Sequence, residues 1–414
     1  MSAPDWREMT RVFGRIGLLS FGGPAAQIAL MHEELVSKRD WLSEQTYLRA
    51  LSLCMLLPGP EAMQLATYAG WRMRGTAGGL LAGLLFVIPG ALVIAVLALF
   101  YAAYGQLPLV QAAFLGIKAA VIVVVFQALR KVAGKALIGV QGWVLAALSF
   151  VALFVFGLPF PLIIIVAGLW GLAQARIAPQ MPMPDPVQAA PLRVLALWGA
   201  LWAAPLLALW MLDQQFLLDL GLFFSKLAVV AFGGAYAVLG YMTQTVVTDL
   251  GWISPEAMID ALGLAETTPG PLILVTEFVA LLAGYAQSGL TGAIATGLLA
   301  LWVTFTPCFL WIFLAGPYLE RLSAQPRLTA GLQAITAAVV GVIANLTVWF
   351  AMHVLFSSVG TAGSLQLPLP VWSSFEPVAA SLTALAAVLM LGLRVGFVQA
   401  MVVLGLCALG LGLI

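Results

Sequence analysis

The chain has 414 residues, 63% of them hydrophobic and 8% charged, with a mean hydropathy of +1.06 and a formal net charge of +1. Soluble globules carry about 25% charged residues, so this composition excludes one and points to a polytopic membrane protein. No basic cluster interleaved with aromatics is present, which argues against nucleic acid as a partner.

Charge is distributed unevenly. Residues 1–176 hold 13 of the 18 Lys and Arg against 7 acids, residues 177–414 hold 5 against 10, and the two parts therefore read +6 and −5. In chain order, Arg7, Arg11 and Arg15 come first, ahead of an apolar run. Asp5, Glu8 and the Gly-Gly-Pro that interrupts the run speak against a cleaved signal peptide. The stretch 6–73 is broken twice, at Phe21-Gly22-Gly23-Pro24 and at Pro58-Gly59-Pro60. Pro removes a backbone donor and Gly weakens a helix, so helices are expected to stop at both places. Unpaired backbone at membrane depth persists only inside protein or beside a polar cavity.

Basic residues indicate how these pieces run. Arg7, Arg11 and Arg15 lie before the first break, Lys38, Arg39 and Arg49 between the breaks, and Arg72 and Arg74 after the second. If every piece crossed the membrane, these groups would alternate sides against the positive-inside rule. Re-entrant hairpins with their tips at the two breaks leave all of them in the cytoplasm, and the N-terminus with them. About 20 apolar residues cross a bilayer as a helix, and 76–104, 109–132, 136–156 and 159–175 qualify as spans. They bring Arg130, Lys131, Lys135 and Arg176 back to the cytoplasmic side.

The Pro-rich run 178–191 reads as an exposed cytoplasmic linker. Segment 192–212 then leads outward to Asp213 and Asp219. Beyond it the earlier pattern returns. Residues 21–60 recur without a gap as 232–271, 211 residues later, with 14 of 40 positions identical. An apolar composition makes some matches inevitable, so the weight rests on Phe232-Gly233-Gly234, on Trp41 against Trp252, and on Pro269-Gly270-Pro271; the chain reads as a duplicated unit. The loop SKRDWLSEQ of the first copy becomes TDLGWISPE in the second, and Asp260 stands where Arg49 stood. Loss of the basic residues is what an inverted repeat requires. Segments 289–316, 328–356, 375–391 and 395–414 complete the spans, with a Gly/Ser/Pro loop after 356. The expected fold class is an all-α polytopic membrane protein of two inverted-topology repeats, 1–176 and 192–414, joined by the linker 177–191. A fainter echo aligns 117–121 with 335–339, helices whose small residues would let them pack closely on the hairpins.

Helix starts inside a membrane present unsatisfied N–H groups and partial positive charge, which suits an anion. The breaks at Phe21, Gly22, Gly23 and Pro24, at Pro58, Gly59 and Pro60, at Phe232, Gly233 and Gly234, and at Pro269, Gly270 and Pro271 are therefore candidate anion contacts; the alternative is that they are packing kinks. Arg15 and Lys226 occupy equivalent positions six residues before each FGG. An intramembrane cation costs roughly 2.5–3.5 kcal/mol to insert, so each needs a partner or a purpose. Arg offers two-pronged oxygen contacts and Lys a point charge, and the alternative is that both reach to the interface. Lys118 is a third candidate, with pairing to a carboxylate of another helix as its alternative. Glu61, Glu266 and Glu277 flank the Pro-Gly-Pro breaks and are candidate proton carriers, or else structural partners of those cations. His32, His353 and the scattered Cys54, Cys308 and Cys407 form no metal-ligand pattern. No nucleophile–base pair or phosphate loop suggests an enzyme, and no cofactor is expected.

In these residues the sequence closely resembles the chromate ion transporter family in its long, two-domain form. The carrying motifs are SFGGPAAQIA, DWLSEQ and LLPGPEAMQLATYAGW in the first copy, and AFGGAYAVL, GWISPE and TTPGPLILVTEF in the second. The resemblance implies efflux of chromate, a tetrahedral dianion, across the bacterial inner membrane, driven by the proton motive force. Expected partners are chromate or a related oxyanion such as sulfate, protons, the lipid bilayer and a second copy of the chain as a homodimer. A passive oxyanion channel is the alternative function.

Overall fold

The computed structural model describes residues 4–174, 191–232, 235–319, 325–363 and 367–412. The linker 177–190, Gly233, Gly234, Arg176 and Arg321 lie outside the described residues. The described residues are 85% helical, and five of the described helices are long and apolar enough to cross a bilayer. The chain is thus a multi-pass membrane protein. It divides into two compact units, one of 1–99, 175–235 and 268–330, the other of 100–174, 236–267 and 331–414. Each draws on both sequence repeats.

The first unit opens with α1 (Trp6–Leu19), which buries Met9, Val12, Phe13 and Ile16 at helical spacing. It stops at Ser20. Gly22 (φ 82°) and Gly23 (φ 77°) follow in successive left-handed conformations, which only glycine adopts without strain, and Pro24 then sits in the first turn of α2 (Gly23–His32). A π turn, Glu33–Ser37, prolongs α2. Ser43 caps α3 (Glu44–Leu56), its Oγ accepting from the Thr46 N–H at 3.2 Å, and the Tyr47 hydroxyl donates to the Ile28 carbonyl at 2.6 Å, fastening α3 to α2.

After the Pro-Gly-Pro break runs α4 (Glu61–Tyr104), bent sharply at Arg74 and Gly75. The corner falls where the sequence reading begins its span at 76. Here Gly70 faces Gly78 so closely that a Cβ on either would strike the other's carbonyl. The same device recurs in α12 (Val275–Ala315), bent at Ser288 and Gly289, with Gly284 against Gly292. At the α4 corner the Arg74 Nε donates to the Pro4 carbonyl at 2.5 Å and its guanidinium lies 4.8 Å from the Trp6 ring centroid. Arg39 Nε lies 3.9 Å from Glu8. The chain therefore returns twice to the end of α1 at which it began. α8 (Pro191–Met211) and α9 (Gln215–Val230) complete the unit against α12, with Trp198 stacked on Phe309 at 5.7 Å and the Trp302 Nε1 donating to the Leu201 carbonyl at 2.9 Å.

The second unit is built on α5 (Pro108–Ala136), against which α11 (Pro255–Thr267), α14 (Pro377–Ala387) and α15 (Phe397–Gly412) pack. Glycines again permit contact: Gly116 lies against the backbone of Leu404, and Gly263 against Ile117. Gly341 of α13 (Pro326–Leu355) lies against Ala146 of α6 (Gly139–Phe154), and α10 (Ala235–Thr243) brings Gly240 to Val342. α6, α7 (Phe160–Gln174), α14 with its π extension, and α15 are, within the described residues, apolar helices of 10–17 residues at the positions where spans are expected. The region after α13, expected as a loop, forms a small antiparallel hairpin of β1 (Val359–Ala362) and β2 (Leu367–Pro370).

Candidate functional site

Four helix breaks define the site, and their described residues all belong to the first unit. The Gly59 N–H donates to the Ala231 carbonyl at 2.9 Å, and the Gly270 N–H donates to the Ser20 carbonyl at 3.0 Å. Gly59 and Gly270 are counterparts in the 211-residue repeat, as are Ser20 and Ala231. Each Pro-Gly-Pro thus satisfies a carbonyl left over where the helix before the opposite Phe-Gly-Gly ends. The arrangement is reciprocal. Packing follows the same rule: Gly59 faces the Cys308 Sγ, while Gly270 faces Gly90.

Two buried glutamines that the sequence reading passed over reinforce the breaks. Gln27 Nε2 donates to the Ser20 carbonyl at 3.1 Å and to the Gly270 carbonyl at 2.7 Å, linking one break of each repeat. Gln64 Nε2 donates to the Pro58 carbonyl at 2.7 Å, and its Oε1 is buried with no hydrogen-bond partner. Each glutamine stands four residues past a break, at Gly23 and at Pro60. That shared spacing of a polar side chain inside an apolar run was the visible signal.

The candidate cations fall differently. Arg15 has a 56% exposed side chain and lies 3.8 Å from Glu34, whose own side chain is 1% exposed. Glu34 also holds Lys38 at 2.9 Å and Arg39 at 2.5 Å. Burial works to raise the Glu34 carboxyl, but the hydrogen bonds and charges of Lys38 and Arg39 outweigh it and hold the group below its ordinary value. Lys226 is exposed on α9, one turn from the buried Phe223. Phe21 is exposed beside the break, and a Cβ on Gly23 would meet nothing within 4 Å. The first Phe-Gly-Gly tip is therefore open, whereas both Pro-Gly-Pro tips are buried among helices.

Glu61 is the first residue of α4 and Glu277 sits in the first turn of α12. Each helix that starts after a Pro-Gly-Pro therefore carries its own carboxylate at its positive end, where a negative charge is favoured by about 0.3–1 kcal/mol. Glu277 is 3% exposed and its Oε2 has no hydrogen-bond partner. In the second unit, Glu266 on α11 accepts a hydrogen bond from the Tyr236 hydroxyl, and Lys118 on α5 lies 3.6 Å from Asp260. Lys118 and Glu266 thus belong to the second unit, and Arg15, Lys226, Glu61, Glu277 and the described residues of the breaks to the first.

The family model for chromate transporters matches residues 7–172 and 218–412. The chain is 30% identical over 352 residues to the chromate transport protein of Cupriavidus metallidurans, with 84% of each chain covered. It is 33% identical over 346 residues to the chromate transport protein of Pseudomonas aeruginosa, with 81% of this chain and 79% of that one covered. The uncharacterized transporter YwrA of Bacillus subtilis is 32% identical over 157 residues, which make up 37% of this chain and 88% of its relative, so YwrA has roughly the size of one repeat. No solved structure matches the chain. With the family model matching on both sides of the linker, the chain belongs to the chromate transporter family.

Proposed function

We propose that this chain exports chromate across the bacterial inner membrane in exchange for protons, and that the helix breaks of the first unit receive the anion. The observation that carries this reading is the reciprocal bonding of the breaks. Gly59 and Gly270 satisfy the carbonyl ends of α9 and α1, which leaves the N–H-bearing start of α2, at the open Phe-Gly-Gly tip, as the polar backbone available to a ligand. Arg15 and Lys226 add positive charge one to two turns before each Phe-Gly-Gly.

Glu61 and Glu277 give the coupling its chemistry. Ionised, each carboxylate occupies the positive end of its own helix; protonated, it no longer does, so the field around the breaks changes with each proton taken up or released. Glu266 is the third carboxylate in line for this role. In this reading the two repeats run in opposite senses through the membrane, the hairpins are re-entrant, and the N-terminus is cytoplasmic. The relatives' chromate transport names favour chromate over sulfate as cargo, and the carboxylates favour a coupled transporter over a passive channel.

The test is chromate flux in proteoliposomes under an imposed pH gradient. Accumulation that follows the gradient supports the reading. Flux of equal size with and without the gradient indicates a channel, and sulfate transport with chromate excluded indicates a different cargo.

A further inference from the structure

A polar pocket of about 450 Å³ lies in the second unit. Asp260, 2% exposed on α11, lines it. Its Oδ2 accepts a hydrogen bond from the Tyr101 hydroxyl at 2.8 Å and lies 3.6 Å from the Lys118 Nζ. Its Oδ1 is buried with no hydrogen-bond partner. Cation and hydroxyl thus converge on one oxygen and leave the other bare, an arrangement that costs free energy while the group is ionised.

The pocket's charges narrow what it can take. Lys118 repels a metal cation, and Asp260 together with the exposed Glu256 at the rim repels an oxyanion; the remaining lining groups include the neutral Gln106 and Gln111. Of the elements packed on α11, α5 contributes Lys118 and α15 no charged side chain. On α11 itself stand Glu256 and, further along, Glu266, which accepts from Tyr236. His353 of α13 lies in the field of Glu256. A proton removes the bare charge at the cost of the Lys118 ion pair alone.

We infer that Asp260 is a proton-exchange site of the transporter, additional to the carboxylates at the breaks, and that Lys118 is the counter-ion it releases. A hydronium ion in the pocket gives its proton to Asp260 Oδ1 and leaves as water. The ion pair to Lys118 is lost, the Tyr101 hydrogen bond to Oδ2 stays, and the ammonium keeps its charge. The pair occurs once in a duplicated chain: the repeat counterpart of Asp260 is Arg49 and that of Lys118 is Thr336. The coupling role rests on the transport reading above; the protonation itself does not.

Infrared difference spectra of the purified full-length protein, recorded between pH 5 and 9, test the protonation directly. The wild type should show a protonated-carboxyl band that titrates, Asp260→Asn should lose it, and Glu256→Gln should keep it. Lys118→Gln, which leaves the acid without its cation, should move the midpoint to higher pH by at least one unit, and Lys118→Arg should restore it. A band indifferent to Asp260→Asn, or a midpoint unmoved by Lys118→Gln, overturns the assignment. In proteoliposomes, Asp260→Asn should keep chromate exchange at equal pH and lose at least tenfold of the acceleration by a pH gradient. Full gradient-driven flux in that variant overturns the coupling role. A wild type that carries no chromate overturns the transport reading instead, with the spectra still deciding Asp260.

Discussion

Gly59 donates its backbone N–H to the carbonyl of Ala231 at 2.9 Å, tying the first Pro-Gly-Pro to the helix that ends before the second Phe-Gly-Gly. With its mirror bond from Gly270 to Ser20, it makes each repeat complete the helix ends of the other. Neither copy of the motif is finished alone.

Gly59 has φ 118°, and a Cβ there would lie 2.9 Å from the Cys308 Sγ and from the Gln64 Nε2. Gly59→Ala should therefore lower stability by about 1–3 kcal/mol and reduce chromate flux. Adding Cys308→Ala should relieve the contact and leave the backbone strain, so recovery remains partial. Thermal unfolding in detergent reads the first effect and proteoliposome flux the second; wild-type stability of Gly59→Ala would show that neither the left-handed backbone nor the Cys308 contact is costly there.

The inverted arrangement predicts that the loop 36–49 faces the cytoplasm and the loop 247–260 faces outward. Cysteines placed at Ser37 and Thr248 in a background without Cys54, Cys308 and Cys407 should label differently with an impermeant reagent in intact cells, Thr248 strongly and Ser37 weakly. Equal labelling removes the inverted repeat.

Among Glu61, Glu266 and Glu277, the residue that carries a coupling proton should, when changed to Gln, keep chromate binding while the pH dependence of flux flattens. Glu277 is the strongest candidate because its Oε2 is buried and unpartnered. Normal pH dependence in all three variants would place coupling elsewhere, at Asp260 first.

Glu34 should contribute to stability through Lys38, Arg39 and Arg15. Its folded pKa lies below its ordinary value, so this contribution is fully present above about pH 4.3 and disappears as pH falls through the folded pKa. Glu34→Gln should cost about 1.5–3 kcal/mol at neutral pH, and the gap to wild type should close in acid. A gap that persists unchanged under acid conditions would mean that packing rather than charge accounts for the loss.

Much of the fold was legible because its punctuation is local. Gly and Pro stop helices at Phe-Gly-Gly and Pro-Gly-Pro, so the breaks at 21–24 and 58–60 are legible from neighbours in the chain, whereas Pro89-Gly90 stays inside α4 and the corner at 74–75 carries no such cluster. The partners of those breaks were not. Gln27 meets Gly270 and Gly59 meets Ala231 across long sequence separations, and only the repeat offset hinted that they belong together. In the sequence Asp260 marks sidedness because it replaces Arg49; its burial against Lys118 comes from the close approach that Gly263 allows between α11 and α5. The hairpin 359–370 escaped notice because its Gly- and Pro-rich sequence carries no strand alternation.

The most direct test of the transport account is chromate accumulation in proteoliposomes under a fixed pH gradient, comparing wild type with Arg15→Gln/Lys226→Gln and with Arg72→Gln/Arg327→Gln. The wild type and the Arg72/Arg327 variant should accumulate chromate alike, and the Arg15/Lys226 variant should fall at least tenfold while remaining folded and inserted. Arg15→Lys alone should retain most activity if charge governs binding and little if two-pronged geometry does. Wild-type accumulation by the Arg15/Lys226 variant would contradict an anion site at the Phe-Gly-Gly breaks.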